Sequence, residues 1–327
     1  MFDIREGNFW SVRIFFVLLQ PNDSFSYSLY MLSILIPTYN HTCYQLVESL
    51  HQQAEYLHID YEIIVAEDGS RDQVSKVANL KIRELSHCQY IRREENVGRA
   101  RIRNFLASQA KYDWLLFIDS DMIVRSNDYI KLYVGIITAK DASDCYYGGY
   151  RVGEEALKIN PFLTQNLRYR YETAYPVNSN ATLRNANPAQ YVHTSNLLVR
   201  KSVLQKCPLD ERFVRYGFED VLLGIDLVRQ GYELSHVDNP LSFEMFESNE
   251  AFLSKTEEAL RTLHDFQNEL EGFSPLLSFA ERIKVVEPLL RSLFQLIKTP
   301  LRNHLKGKTP SLLIFKVYKL LYFLALN

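Results

Sequence analysis

Two aspartates that follow a long apolar run have the clearest chemical potential in this sequence. Asp119 and Asp121 come directly after the apolar residues 114–118. Such a run predicts a strand buried on both faces, and both aspartates must lie where it leaves the sheet, because an unpaired buried carboxylate is costly. Adjacent carboxylates repel each other, and Mn²⁺ or Mg²⁺ would relieve the repulsion. The pair predicts a metal site; the alternative is that one aspartate caps a helix near Ser126 and the other is solvated.

Polar residues follow three further strand-like runs in the first half of the chain. These runs cover residues 32–36, 61–66 and 88–92, and apolar residues between them have helical spacing. Alternating strands and helices predict a parallel sheet, whose carboxyl ends share one edge where ligands bind. The residues predicted to meet there are Pro37, Thr38, Tyr39, Asn40, Glu67, Asp68, Asn96, Gly98, Arg99 and Arg103.

Three of these residues have the chemistry that a nucleotide requires. Asp68 stands where an acid can hydrogen-bond a ribose or a base. Arg99 and Arg103 are one helical turn apart, so near a helix N-terminus they would hold a diphosphate. Taken singly, Asp68 has the alternative of a turn residue, and the arginines that of a solvated helix face. Their convergence beside an acid pair favours a nucleotide diphosphate site.

Length and composition restrict the class of protein. The chain has 327 residues, a formal net charge of −2 and 47% hydrophobic residues, which allows one large domain with or without an appendage. The near-neutral charge gives no indication of a nucleic-acid partner. Four dispersed cysteines without a CxxC pair indicate neither a zinc site nor a dense disulfide frame, and they favour a reducing compartment.

Four motifs together resemble those of family 2 glycosyltransferases, which have the GT-A fold. The motifs are residues 33–40, 62–70, 96–104 and Asp119-Ser120-Asp121. The resemblance implies that these residues, Ser120 included, bind a nucleotide-sugar donor. It further implies that Asp68 recognises the base, that Asp119 and Asp121 hold a metal on the diphosphate, and that the second half handles the acceptor.

Later motifs extend the resemblance to about residue 250. A strand-like run that includes Asn196 resembles the strand beside the donor sugar. Glu219 and Asp220 precede a helix that ends in residues 229–232, Arg-Gln-Gly-Tyr. The resemblance implies that this acid pair is catalytic and that Asp220 is the general base. The alternative is that both acids only favour the dipole of the helix.

Many members of the family have a histidine after this helix that contributes to the metal site. The resemblance is incomplete here. At the corresponding place this chain has Phe243. His236 is a candidate replacement, although a lone histidine on a strand is more often packed than ligating. The remaining possibility is a metal held by Asp121, the diphosphate and water.

Three regions are expected along the chain. Residues 1–30 carry a short apolar run without a small-residue cleavage site, and Met31 directly precedes the first strand. We therefore expect an extra, poorly ordered segment, or one upstream of the true start. The other regions are residues 31–250, a GT-A domain with a nucleotide-binding half (31–125) and an acceptor half (126–250), and residues 251–327, which are helical and basic.

Two segments of the second half have more than one interpretation. Residues 154–190 lack a clean period, and either a loop that closes over substrate or a helix-rich insertion with packed tyrosines fits them. Residues 288–327 contain seven basic residues and no acid, and residues 312–326 are apolar and aromatic. The latter favour an interfacial helix on anionic lipid, with a helix packed on the catalytic domain as the alternative.

These observations favour an α/β protein with a mostly parallel GT-A-type sheet flanked by helices. We expect a metal-dependent, inverting glycosyltransferase at the cytoplasmic face of the cell membrane. It would move a sugar from a nucleotide-sugar, a UDP-sugar, to a glycan or lipid-linked acceptor in surface polysaccharide synthesis. A sugar-1-phosphate nucleotidyltransferase would need a glycine-rich loop after the first strand, where residues 38–41 are Thr-Tyr-Asn-His. A membrane-associated scaffold with a degenerate site is the second alternative.

Overall fold

The structure is a computed structural model that describes residues 31–326. The expected poorly ordered segment, residues 1–30, lies outside the described residues. The strands are β1 (Met31–Thr38), β2 (Asp60–Asp68), β3 (Cys88–Arg93), β4 (Trp114–Ile118), β5 (Met122–Ile123), β6 (Cys145–Tyr147), β7 (Tyr150–Val152), β8 (Asn196–Arg200), β9 (Leu234–His236) and β10 (Leu241–Phe243). The helices are α1 (Tyr44–Tyr56), α2 (Gln73–Asn79), α3 (Arg99–Gln109), α4 (Tyr129–Ile137), α5 (Glu155–Ile159), α6 (Leu167–Thr173), α7 (Ala181–Asn185), α8 (Lys201–Lys206), α9 (Glu219–Arg229), α10 (Asn249–Asp265), α11 (Pro275–Arg282), α12 (Glu287–Lys306) and α13 (Leu312–Leu324).

The central sheet has the strand order β3-β2-β1-β4-β8-β6-β9. The first four of these strands are parallel to one another, β8 is antiparallel to both β4 and β6, and β9 is parallel to β6. A smaller sheet has the order β5-β10-β7. The predicted α/β class, with a mostly parallel sheet flanked by helices and a C-terminal helical region, is confirmed.

Strand β4 is buried along its whole length, as its apolar sequence predicts. Leu116 and Ile118 face an apolar cluster that includes α1 and α4, whereas Leu115 and Phe117 face a second cluster with α3 and α8. Because both faces are covered, polar groups can begin only after Ile118. The parallel strands β1, β2 and β4 therefore carry their polar residues to one edge of the sheet.

Asn196, at the start of β8, is a buried junction between several elements. Its Oδ1 accepts hydrogen bonds from the hydroxyls of Tyr129 and Tyr133 at 2.6 and 2.7 Å. Its Nδ2 donates to the backbone oxygens of Gly149 and Asn239 at 2.7 and 2.8 Å. The side-chain amide is fully buried and has used its capacity. This corrects the expectation that Asn196 binds the donor, because no polar atom of it is left for a ligand.

Residues 154–190 contain the short helices α5, α6 and α7. Tyr171 of α6 packs its ring against Phe252 and Phe315. Of the two interpretations of this segment, the helix-rich insertion with packed tyrosines is therefore the one that the structure shows.

The C-terminal helices pack on the α/β domain through α9. Leu222 and Ile225 of α9 share one apolar cluster with residues of α10 to α13. The aromatic face of α13, including Phe315, Tyr318 and Tyr322, is buried in this cluster. Helix α13 is therefore the packed helix of the alternative, which corrects the expectation of an interfacial helix there. Within residues 31–326, no helix has both the length and the apolar composition needed to cross a bilayer.

Replacing Asn196 by alanine should lower the free energy of unfolding by about 3 kcal/mol, because two buried tyrosine hydroxyls and two carbonyl groups would lose their partner. Urea unfolding would measure the loss. Asn187→Ala, at an exposed position of the same chain, is the control and should change stability by less than about 0.5 kcal/mol. Equal effects of the two substitutions would contradict the role of Asn196 as a junction.

Candidate active site

Asp119 is held at the end of β4 by two arginines of α3. Arg103 is buried; its Nη2 donates to Oδ1 of Asp119, and its Nη1 donates to the backbone oxygen of Arg99 at 3.0 Å. The Nη2 atom of Arg99 lies 3.6 Å from Oδ2 of Asp119. Burial alone would raise the pKa of Asp119, but the charges of Arg103 and Arg99 outweigh it and hold the pKa below 3.8. Asp119 is therefore ionised, and both oxygens face guanidinium groups.

Asp121 is the acid of the pair whose carboxylate has no hydrogen-bond or ion-pair partner among the described residues. Burial and then the charge of Asp119 raise its pKa above 3.8, opposed by Arg168, His41 and Arg99. A cation would offset this repulsion, and a carboxylate oxygen suits Mn²⁺ or Mg²⁺. Asp121 thus fits a metal, although the described residues contain no group of three or more His, Cys, Asp or Glu that could hold one.

Asp68 ties the end of β2 to the start of α3. Its Oδ1 accepts from the backbone nitrogen of Val97 at 2.9 Å, and its Oδ2 from that of Gly98 at 3.1 Å. Gly69 has a φ of +66°, and the backbone of Asn96 lies so close that an added Cβ would collide with it. Asp68 therefore shapes the turn that begins α3, and recognition of a base by Asp68 stays a prediction.

The turn after β1 contains Pro37, Thr38, Tyr39 and Asn40. Asn40 donates from its backbone nitrogen to Oγ of Ser70 at 2.7 Å, and its Oδ1 accepts from the next two backbone nitrogens after Ser70. Tyr39 is about half exposed, which leaves its ring available for stacking. The buried carboxylate of Glu67 has no hydrogen-bond partner among the residues described. A ligand N–H would be a suitable partner for it.

The start of α9 brings two more acids to this edge. Glu219 is buried, and its Oε1 lies 2.5 Å from Nε of Arg99. It therefore positions the arginine, and a catalytic role of Glu219 stays a prediction. Asp220 lies with Oδ2 at 2.8 Å from Nδ1 of His193, and its Oδ1 accepts from the backbone nitrogen of Val221 at 2.9 Å.

Sequence reasoning gave His193 no role. The histidine and Asp220 are 27 residues apart, and no spacing rule connects a residue before β8 with the first turn of α9. The available signal was that His193 belongs to the strand-like run, residues 191–200, that resembles the strand beside the donor sugar.

His236, in β9, is not placed to bind a metal. Its Nδ1 accepts from Nε of Arg184 at 3.1 Å, and its Nε2 lies 3.0 Å from the backbone oxygen of Pro188. Burial lowers the pKa of His236 to about 4. Both ring nitrogens are engaged, so neither offers a free lone pair, which corrects the expectation of a metal ligand here. Phe243 is also buried, with the guanidinium of Arg168 at 4.3 Å from its ring centroid.

Comparison with known proteins identifies the family and the fold of the chain. The chain matches the family model described as Glycosyl transferase family 2 over residues 33–207, more than half of its length. A chondroitin synthase of Pasteurella multocida is 26% identical over 240 residues, which cover 65% of this chain and 24% of that protein. Glycosyltransferase GlyG of Streptococcus pneumoniae is 30% identical over 120 residues, 37% of this chain and 39% of that one. The chain thus spans well under half the length of these curated relatives.

One solved structure supports the fold assignment. It is the mannosyltransferase PcManGT from Pyrobaculum calidifontis in complex with GDP-Man and Mn²⁺. The likeness covers 90% of this chain and 84% of that chain, with a TM-score of 0.52 and 12% sequence identity. At this identity the likeness concerns the fold alone, and it agrees with the architecture described above.

Replacing Arg103 by methionine should destabilise the protein by about 3 kcal/mol at pH 7, because Asp119 would lose its buried partner. The pKa of Asp119 is lowered by folding, so its favourable contribution is present above pH 3.8 and is lost as the pH falls through the folded pKa. The difference between variant and wild type should therefore shrink in acid, as urea unfolding at pH 7 and pH 3 would measure. Arg101→Met, on the exposed side of α3, is the control. An undiminished difference at the lower pH would contradict the ion pair.

Proposed function

Because the chain belongs to glycosyl transferase family 2, we propose that it is an inverting glycosyltransferase that uses a UDP-sugar. The acceptor would be a hydroxyl of a glycan or of a lipid-linked glycan, in the synthesis of a surface polysaccharide. The observation that carries the proposal is the meeting of Arg99, Asp119, Asp121 and Asp220 at one edge of the sheet. The likeness to a chondroitin synthase supports a glycan product.

The donor half of the site has suitable partners for each part of a nucleotide-sugar. The half-exposed ring of Tyr39 would stack on the base, and Glu67 would accept a hydrogen bond from it. Arg99, about one third exposed, would face the diphosphate at the N-terminus of α3, where the helix dipole also favours an anion. Arg103 is committed to Asp119, so its contribution would be to hold that acid in place.

Asp121 would hold the divalent cation, Mn²⁺ or Mg²⁺, together with oxygens of the donor diphosphate. When bound, such a cation supplies positive charge that stabilises a departing diphosphate. The chain's own contribution is a partly buried carboxylate whose charge is poorly compensated by its neighbours. The sequence analysis predicted that Asp119 shares the ion with Asp121. Because Asp119 faces two guanidinium groups, it is less suited to bind a cation than that prediction implies.

The reaction requires a base for the acceptor proton. The hydroxyl oxygen would attack the anomeric carbon from the face opposite the diphosphate, which inverts the configuration. Burial would raise the pKa of Asp220, but His193, Arg99 and the N–H of Val221 together lower it, so the carboxylate is ionised at neutral pH. We propose that the base function depends on Asp220, at the start of α9.

We further propose that the protein docks on the cytoplasmic face of the cell membrane. Since α13 is packed, the candidate surface is the outer face of α12, defined by Leu289, Leu293 and Leu296, of which Leu289 and Leu296 are 70% and 79% exposed. These residues have the spacing of one helical stripe. No acidic residue follows Glu287, and the exposed Lys298, Lys308 and Lys316 pair with no carboxylate in residues 31–326. An apolar stripe in a basic region favours an anionic bilayer.

Sugar transfer can be tested with UDP-glucose, UDP-galactose, UDP-N-acetylglucosamine and UDP-glucuronate, with GDP-mannose for comparison. Chondroitin fragments and lipid-linked oligosaccharides would serve as acceptors, and mass spectrometry would identify the product. A product with the anomeric configuration opposite to that of the donor is expected. Release of nucleoside monophosphate with a sugar phosphate, instead of nucleoside diphosphate, would contradict the assignment.

Replacing Asp121 by asparagine should slow transfer about a thousandfold, roughly 4 kcal/mol, and remove the Mn²⁺ dependence of UDP binding. Because folding raises the pKa of Asp121, its charge destabilises the native state at neutral pH, and the variant should be at least as stable as wild type. Calorimetry with UDP, with and without Mn²⁺, and a thermal melt would check both expectations. Asp128→Asn, an exposed acid nearby, is the control. Wild-type activity that EDTA leaves unchanged would refute the metal assignment.

Replacing both Leu289 and Leu296 by glutamate should abolish sedimentation with vesicles that contain phosphatidylglycerol, because the outer face of α12 would lose apolar area and gain negative charge. Gln295→Glu with Thr299→Glu adds the same charge on the same helix without removing apolar area, and should weaken binding less. A thermal melt would show that both variants are folded. Wild-type protein that stays in the supernatant at low salt would rule out the membrane proposal.

A further inference from the structure

His193 and Asp220 form a pair in which the histidine offers the free polar atom. Both oxygens of Asp220 are engaged, one by Nδ1 of His193 and one by the N–H of Val221. The side chain of Asp220 is 13% exposed, and that of His193 is 35% exposed. In the part of the chain that the structure describes, no hydrogen-bond partner reaches Nε2 of His193. The atom open to a substrate is thus the histidine nitrogen, and the carboxylate lies behind it.

The contact with Asp220 determines the tautomer of the ring. An ionised carboxylate only accepts hydrogen bonds, so Nδ1 of His193 must carry the hydrogen at 2.8 Å from Oδ2. In the neutral ring Nε2 then holds a lone pair. Asp220 itself is a poor base, because its low pKa reflects the partners that already use its oxygens. A carboxylate behind an imidazole is a recurrent arrangement for proton abstraction from a hydroxyl.

The surroundings of His193 favour its protonated form. The rings of Tyr147 and Tyr150 meet it edge-on, at centroid distances of 5.7 and 6.1 Å. Burial would lower the pKa of His193, but the charge and hydrogen bond of Asp220, followed by the charges of Glu172 and Asp119, raise it above 6.5. Tyr147 and Tyr150, whose pKa values burial raises, and His236, whose pKa burial lowers to about 4, are further titratable groups near the ring.

We propose that Nε2 of His193 accepts the proton of the acceptor hydroxyl, while Asp220 orients the ring through Nδ1. This inference rests on the proposed function. As the hydroxyl oxygen forms its bond to the anomeric carbon, the bond from that carbon to the diphosphate oxygen breaks, and its electron pair leaves with the diphosphate. The hydroxyl proton moves to Nε2, which gives an imidazolium paired with the Asp220 carboxylate. Solvent then removes the proton and restores the neutral ring.

His193→Asn separates this role from a purely positioning one. The asparagine Nδ2 can replace Nδ1 as donor to Asp220, but no basic nitrogen remains in the place of Nε2. The kcat for transfer from the most active UDP-sugar should fall about 10² to 10⁴-fold, while UDP affinity with Mn²⁺, measured by calorimetry, should stay unchanged. His193→Ala should lose a similar factor and recover part of it with added imidazole. His87→Asn, at an exposed histidine remote in sequence, should keep wild-type activity and not respond to imidazole.

The position of Asp220 behind the ring can be tested through the pH dependence of kcat. In wild type, kcat should decline on the acid side with a midpoint above pH 6.5, because protonation removes the lone pair. In Asp220→Asn the midpoint should shift to lower pH, since the charge that favours the imidazolium is lost. Proton NMR titration of the His193 ring should show the same shift without substrate. A ring pKa that does not change in this variant would overturn the inference.

Other outcomes would distinguish failure of this inference from failure of the proposed function. If His193→Asn retains transfer within a few-fold of wild type, Asp220 takes the proton directly, and the inference fails while the proposed function stands. If a thermal melt shows that His193→Asn is unfolded, the His193→Ala variant with imidazole decides, and failure of rescue in a folded protein overturns the inference. A wild-type protein that transfers no sugar from any of the tested donors would overturn both.

Discussion

The pairing of the partly buried Asp119 carboxylate with two arginines is the interaction on which the geometry of this edge depends. Because its low-dielectric position is tolerable only with paired charge, Arg103 and Arg99 must remain where they are, and α3 is thereby fixed to the end of β4. Arg99 carries the constraint onward, since its Nε binds Glu219 in the first turn of α9. One network of charges thus joins α9 to α3 and β4, and its Arg99–Glu219 contact spans 120 residues of sequence. Asp121 and His193, whose side chains keep free polar atoms, lie beside this network.

The acids of the site therefore fall into two kinds. Asp68 and Asp119 have both oxygens beside backbone N–H groups or guanidinium groups, Glu219 has one oxygen so engaged, and these acids give the site its shape. Asp121 has no such partner among the described residues, and Asp220 shares one oxygen with the more exposed ring of His193. The acids with committed oxygens hold the charged groups of the site in place before the reaction. Asp121 and Asp220 can therefore act without rearrangement of their surroundings.

The sequence analysis predicted features that depend on local pattern and failed where partners come from distant elements. The apolar run before Asp119 correctly predicted a doubly buried strand, and the alternation of runs predicted the parallel half of the sheet. Asn196 and His236 were misassigned because their side chains are saturated by groups that only the folded chain brings near. The composition of α13 is compatible with lipid or with a protein core, and burial of Tyr318 in the C-terminal cluster decides between them. A saturated polar side chain and a free one look identical in a sequence.

The C-terminal helices pack against α9 and so help to hold the active site in place. This packing also connects a docked membrane with the active site. Leu222 and Ile225 of α9, a few residues beyond Asp220, are packed by the same cluster that contains Phe315 of α13. Removing residues 288–327 would expose this cluster and disturb the start of α9, so a truncated protein could not separate docking from folding. The outer face of α12 is different, because its leucines point away from that cluster. If a bilayer occupies this face, the helix that carries Asp220 is held near the membrane surface by rigid packing. A lipid-linked acceptor would then meet the base without leaving its bilayer, which is the physical reason that we connect the docking surface with the class of acceptor.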